Sequence, residues 1–142
     1  MVNIVQTDDG DFELEGVNGQ GYGWIPATVT YHPTSNATNV AFVANRAMRV
    51  KSIVGRVQAA GTDGGAVTAT VYKAASGTAI ASGTALHSGT FNLKGTASTN
   101  QTLTLSTTAG VLDIAAGDTI GIILTGTLTT ATGGITVHMT PR

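Results

Sequence analysis

The sequence predicts an all-β fold: a single sandwich of about eight antiparallel strands, jelly-roll-like, behind an extended N-terminal arm. Three observations predict it. Residues 111–124, VLDIAAGDTIGIIL, alternate with period two on both sides of a small corner. From residue 26 onward, turn signals recur at the 8 to 12 residue spacing typical of sandwiches and barrels. No stretch longer than two turns keeps the 3.6-residue period of a helix.

In that central stretch Leu112 and Ile114 flank polar Asp113, and Ile120, Ile122 and Leu124 fall on one face of the strand that follows. Gly117 suits the positive φ that such a corner needs, and Asp118 is placed to bond the backbone just beyond it. Upstream, residues 27–31 alternate and HPTSN at 32–36 is a turn cluster. Residues 40–44 form a short apolar run. Residues 47–58 are longer: Met48 and Val50 share one phase, Ile53 and Val57 the other, so a β-bulge or a switch of sheet is expected near 52–54, with Gly55 well placed for it. GTDGG at 61–65 predicts a hairpin into residues 66–72, where Val67, Ala69 and Val71 point one way. Ser-Gly-Thr recurs at 76, 82 and 88 with period six. Too few turns exist for a β-helix, so short strands and turns along one rim are expected. Residues 101–106 alternate through Leu103 and Leu105. Ile135, Val137 and Met139 form a closing strand with Thr136 and His138 facing away. Eight strands favour a jelly roll over an immunoglobulin-type fold, which usually has seven.

The chain divides into an arm, residues 1–25, and a sandwich, residues 26–142. Asp8, Asp9, Asp11, Glu13 and Glu15 are five of the eight acids, and a glycine-rich stretch follows that carries Tyr22 and the single tryptophan, Trp24. Acidic, then flexible, then aromatic reads either as an arm that leaves the domain and is pinned by a ring or as a loose terminus whose Trp24 caps the core. The DDGD cluster lacks the spacing and terminal Glu of a calcium loop.

Composition excludes several classes. Charged residues make up 11% of the 142, against about 25% on average, and the formal net charge is −1. Such a surface has little self-repulsion, which suits a protein that works assembled, and it lacks the basic face that nucleic acid demands. There is no cysteine, hence no disulfide, thiolate zinc site or Cys nucleophile. MVNIVQTDDGDFELEG has neither the basic nor the apolar region of a secretory signal, and no run of about 18 apolar residues is present to span a membrane.

No reaction is written in the chain. His32, His87 and His138 stand far apart and without neighbouring acids, as isolated surface or turn histidines. Asp63 and Asp118 fall in turns, and the close pair Asp113 and Asp118 flanks one corner rather than a cleft. There is no Gly-x-Ser-x-Gly elbow and no phosphate loop opening a helix. The expectation is a non-enzyme with no cofactor and no metal. One charge constellation stands out: Arg46, Arg49, Lys51 and Arg56 are four of the seven basic residues, within eleven positions. They serve either as a guarded, solvated strand face or as a basic band meeting the acidic arm of another subunit or of a scaffold.

Short, free of cysteine, rich in Thr, Ala and Gly, with a polar arm and closing strands VLDIAAGDTIGIILTGT and GGITVHMTPR, the chain resembles tailed-bacteriophage virion proteins, in particular capsid decoration (cement) proteins and head fibres. The resemblance covers residues 40–142. It implies a virion protein made in the host cytoplasm, sitting on the capsid surface as a homo-oligomer, often a trimer, and binding the major capsid protein lattice. Its arm would add a strand to the shell. The alternative is a carbohydrate- or receptor-binding module of a phage fibre, for which Tyr22, Trp24, Tyr31 and Tyr72 are the available aromatics beyond the phenylalanines.

Overall fold

The computed structural model describes residues 24–142 and, as backbone, the two strands β1 (Asn3–Gln6) and β2 (Phe12–Glu15). Residues 24–142 form two antiparallel five-stranded sheets around one core. The first sheet contains β3 (Ile25–Tyr31), β5 (Met48–Ala59), β9 (Thr99–Thr102), β10 (Asp113–Ile114) and β12 (Thr132–Pro141). β5 is paired with β12, which pairs with β3, while β9 and β10 share the other edge of β5. The second contains β4 (Thr38–Val43), β6 (Thr68–Ala74), β7 (Thr84–Ala85), β8 (Phe91–Asn92) and β11 (Thr119–Thr125). β11 lies between β4 and β6, and β7 and β8 flank β6. Among the described residues no α-helix occurs, only a 3₁₀ turn at Ile80–Ser82, and none of their helices is long and apolar enough to cross a membrane.

The alternating runs bury the expected faces. Ile120, Ile122 and Leu124 of β11 meet Ile135, Val137 and Met139 of β12 across a core completed by Val67, Ala69 and Val71. Among the described residues there are twelve strand segments, two in the arm and ten in the two larger sheets, where the sequence reading expected about eight. Where it is described, the arm is a pair of antiparallel strands: Asn3 lies opposite Glu15, and Gln6 opposite Phe12. Both NIVQ and FELE mix apolar and polar positions. The short rim strands of residues 76–92 follow the 3₁₀ turn as expected.

Three local expectations change. Residues 61–65 are not a hairpin turn, since β5 lies in the first sheet and β6 in the second. The loop carries the chain between sheets, held by Lys94 Nζ donating to the carbonyls of Asp63 and Gly65 and by the Asp63 carboxylate accepting the Thr129 N–H. Residues 115–118 likewise join β10 to β11 across the sandwich. Gly117 has φ +88° there, but Asp118 bonds backwards: its Oδ2 accepts the Ala115 N–H at 2.9 Å. The phase slip of β5 is real, with Ser52 opposite His138 and Val50 opposite Met139, leaving Lys51 as the extra residue. Gly55 is not part of that bulge. It is buried, and a Cβ on it would lie 2.8 Å from the Phe91 ring.

Candidate functional site

Alternation along three adjacent strands sorts the first sheet into an inner and an outer face. Ala27 and Tyr31 of β3, Ile135, Val137 and Met139 of β12, and Ile53 and Val57 of β5 are buried. Their neighbours Thr28 and Thr30, Thr136 and His138, and Val54 and Arg56 therefore turn outward. The β5–β12 pairing is irregular at two places, beside Lys51 and beside Gln58. Bulges bend a strand and increase its twist, and between these two the outer face is concave. The result is an open trough of about 660 Å³, lined by residues of β3, β5, β9 and β12 and by the flanking His32.

Its floor is small and largely methyl-bearing. Thr28 Oγ1 and Thr136 Oγ1 hydrogen-bond to each other at 2.8 Å, so each hydroxyl has a partner within the floor. Gly134 lies between Thr28 and Thr30. One wall is an arginine-centred fork. Arg56 donates through NH1 to Asn100 Oδ1 at 3.1 Å and through Nε to Gln58 Oε1 at 3.4 Å, which engages both amide oxygens and leaves their NH₂ groups as the donors of that wall. At the other end, His138 Nδ1 is 3.1 Å from Ser52 Oγ, and Trp24 lies tilted against the His138 ring with centroids 5.8 Å apart. Trp24 is 56% exposed, so it flanks the trough rather than capping the core.

The residues singled out from the sequence are distributed as follows. Asp8, Asp9, Asp11 and Tyr22 lie outside the described residues. Glu13 and Glu15 sit in β2 opposite Val5 and Asn3. Arg46, Arg49, Lys51 and Arg56 are all exposed, and the bulge at Lys51 keeps Arg56 on the outward face. They do not act as one band. Arg49 and Arg142 both grip Asp113, each at 2.6 Å, while Arg56 belongs to the trough. Partial desolvation pushes the Asp113 carboxyl up, but hydrogen bonds and charge from the two guanidiniums outweigh it and hold the pKa below the ordinary 3.8.

One of the three histidines differs from expectation. His87 is buried at 6% exposure, where Nε2 accepts the Val71 N–H at 2.9 Å and the ring packs edge-on to Phe91. Burial lowers its pKa below 6.5, partly offset by the backbone of Ser88 and Gly89. His32 is a turn residue, its Nδ1 2.9 Å from Thr34 Oγ1. Among the described residues, no group of three or more His, Asp or Glu side chains is placed to hold a metal ion.

Sequence reasoning missed the trough. The signal was present as Thr28, Thr30 and Thr136 at alternating positions and as two adjacent glycines, Gly133 and Gly134, inside an otherwise strong strand. Comparison with protein families, with curated proteins and with solved structures finds no significant match.

Proposed function

We propose that this chain is a structural protein of a tailed-bacteriophage virion: a decoration (cement) protein that binds the major capsid protein lattice as a homotrimer at the capsid surface. The observation that carries the assembled state is the edge strand β4. Its sequence, TNVAFV, holds no charge and no proline, the usual guards of an edge. Val40 and Val43 are 60% and 58% exposed. Three positions apart, they would ordinarily face opposite ways. Ala41 is an extra residue in the pairing, so Val40 falls opposite Gly121 and Val43 opposite Thr119, both on the side turned from the core. A second copy of this chain suits that surface, because a net charge of −1 opposes association only weakly.

We also read the fold as a jelly roll. Its support is the nesting of the pairs: β3 beside β12, β4 beside β11, β5 beside β9 and β10, and β6 beside β7 and β8. Counting each broken pair as one strand leaves eight in the sandwich. The acidic arm is the element proposed to reach a neighbouring subunit or the shell, meeting Arg46 and Lys51, which form no ion pair among the described residues.

Size-exclusion chromatography with light scattering and co-sedimentation with purified tailed-phage capsids test this reading. A trimer that pellets with capsids is expected. A monomer at micromolar concentration, or protein left in the supernatant, overturns it. The second reading, a carbohydrate- or receptor-binding module of a fibre, is favoured by the trough and its flanking Trp24.

A further inference from the structure

We propose that the outer trough of the first sheet is a binding site for a saccharide chain, with Gly134 as its open floor. The proposal deepens the second reading above by naming the site, and it stands apart from capsid binding.

The argument begins with the two glycines of β12. Glycine in a strand interior weakens the strand, so each position asks for a reason. Gly133 has one inside the protein: a Cβ there would collide with the Arg56 carbonyl and the Tyr31 ring. Gly134 has none. A Cβ on it would meet only ordinary contacts, 3.5 Å from the Val29 carbonyl and 4.0 Å from the Thr28 and Thr30 methyls. The geometric consequence of glycine at 134 is a lower floor, which admits something from outside.

What fits that floor follows from its chemistry. Small-ligand sites are concave, mostly apolar and set with a few convergent polar groups. A sugar ring presents C–H faces and pairs of adjacent hydroxyls. The threonine methyls and Gly134 suit the former. The exposed amides of Asn100 and Gln58, whose oxygens Arg56 holds, suit the latter. Trp24, exposed at the end of the trough, offers a ring face for stacking. Four strands at about 4.8 Å spacing make the trough roughly 14 Å across, room for a short run of sugar rings. A peptide strand would seek a sheet edge rather than a face. Nucleic acid would want more than the single arginine that lines the site.

The test is a glycan microarray that includes bacterial polysaccharides, followed by calorimetry of the full-length protein with the bound saccharide. Wild type should bind at least one saccharide. Gly134→Val, which fills the floor with a residue that strands favour, should abolish binding while thermal melting shows it folded. Asn100→Ala and Trp24→Ala, on the rim, should each weaken binding about tenfold or more, and they carry the test if Gly134→Val fails to fold. Thr78→Ala, in the exposed turn that follows β6, should leave binding unchanged. Saccharide binding that survives Gly134→Val, or both rim variants, refutes this site while leaving the fibre reading standing. No saccharide bound by wild type refutes both.

Discussion

Gly55 owes its place in β5 to a ring on another strand. Its missing side chain lets Phe91 of β8 lie against the first sheet, and Phe91 is 1% exposed at the centre of the core. Gly55→Ala should therefore destabilise by about 1–3 kcal/mol through overpacking, and Phe91→Ala by about 3–5 kcal/mol through lost burial and a cavity. The double variant should cost less than the sum, because deleting the ring also removes the clash. Denaturant midpoints of the four proteins measure this, and strict additivity would contradict the contact. His87 makes a second prediction. Its folded pKa is lowered, so the native state holds the ring neutral with Nε2 accepting from Val71. The unfolded chain binds a proton more readily, so this stability is fully present above about pH 6.5 and is lost as the pH falls through the folded value. Melting temperature should decline from pH 7 to pH 5, and His87→Gln, which keeps an acceptor, should flatten that slope.

At the scale of the element, β4 and the corner at residues 115–118 use irregularity for different ends. The corner combines positive φ at Gly117 with the Asp118 carboxylate closing on the Ala115 N–H, which lets the chain leave β10 in one sheet and enter β11 in the other within four residues. In β4 the extra residue at Ala41 brings two valines onto one exposed side. If β4 forms the proposed trimer interface, replacing both, Val40→Lys and Val43→Lys, should give a monomer in light scattering and leave the melting transition of the sandwich within a few degrees. Substitutions on an exposed side away from the core typically change stability by about 0.5 kcal/mol or less. A double-lysine variant that stays trimeric would move the interface elsewhere.

The whole molecule is poor in charge, and what charge it has is segregated. Five of its eight acids lie in residues 8–15, while Arg46 lies just before β5 and Lys51 near its start. Complementary patches of this kind govern register and encounter rate more than final affinity, and salt screens them over about 10 Å at 0.1 M. Changing Asp8, Asp9, Asp11, Glu13 and Glu15 to Asn or Gln should slow and weaken assembly at low ionic strength and have little effect at high salt. Sedimentation velocity at two salt concentrations distinguishes this, and assembly unchanged at low salt would remove the arm from the mechanism.

Period two determined most of what the sequence could determine: the all-β class, the inward faces of β6, β11 and β12, and the slip within β5, because side-chain alternation is local and burial enforces it. The corner at Gly117 was legible from residue type, because glycine takes positive φ at little cost, but not its crossing from one sheet to the other. Partnership was not. Whether a turn joins neighbours in one sheet or carries the chain across the sandwich depends on which distant strand completes the ladder, so residues 61–65 looked like a hairpin and became a crossover. The burial of His87 and the Phe91 contact of Gly55 were set by chain segments far away in sequence. The trough was decided latest, since a concave outer face arises only when four strands bend together and leave one glycine with nothing of the protein's own above it.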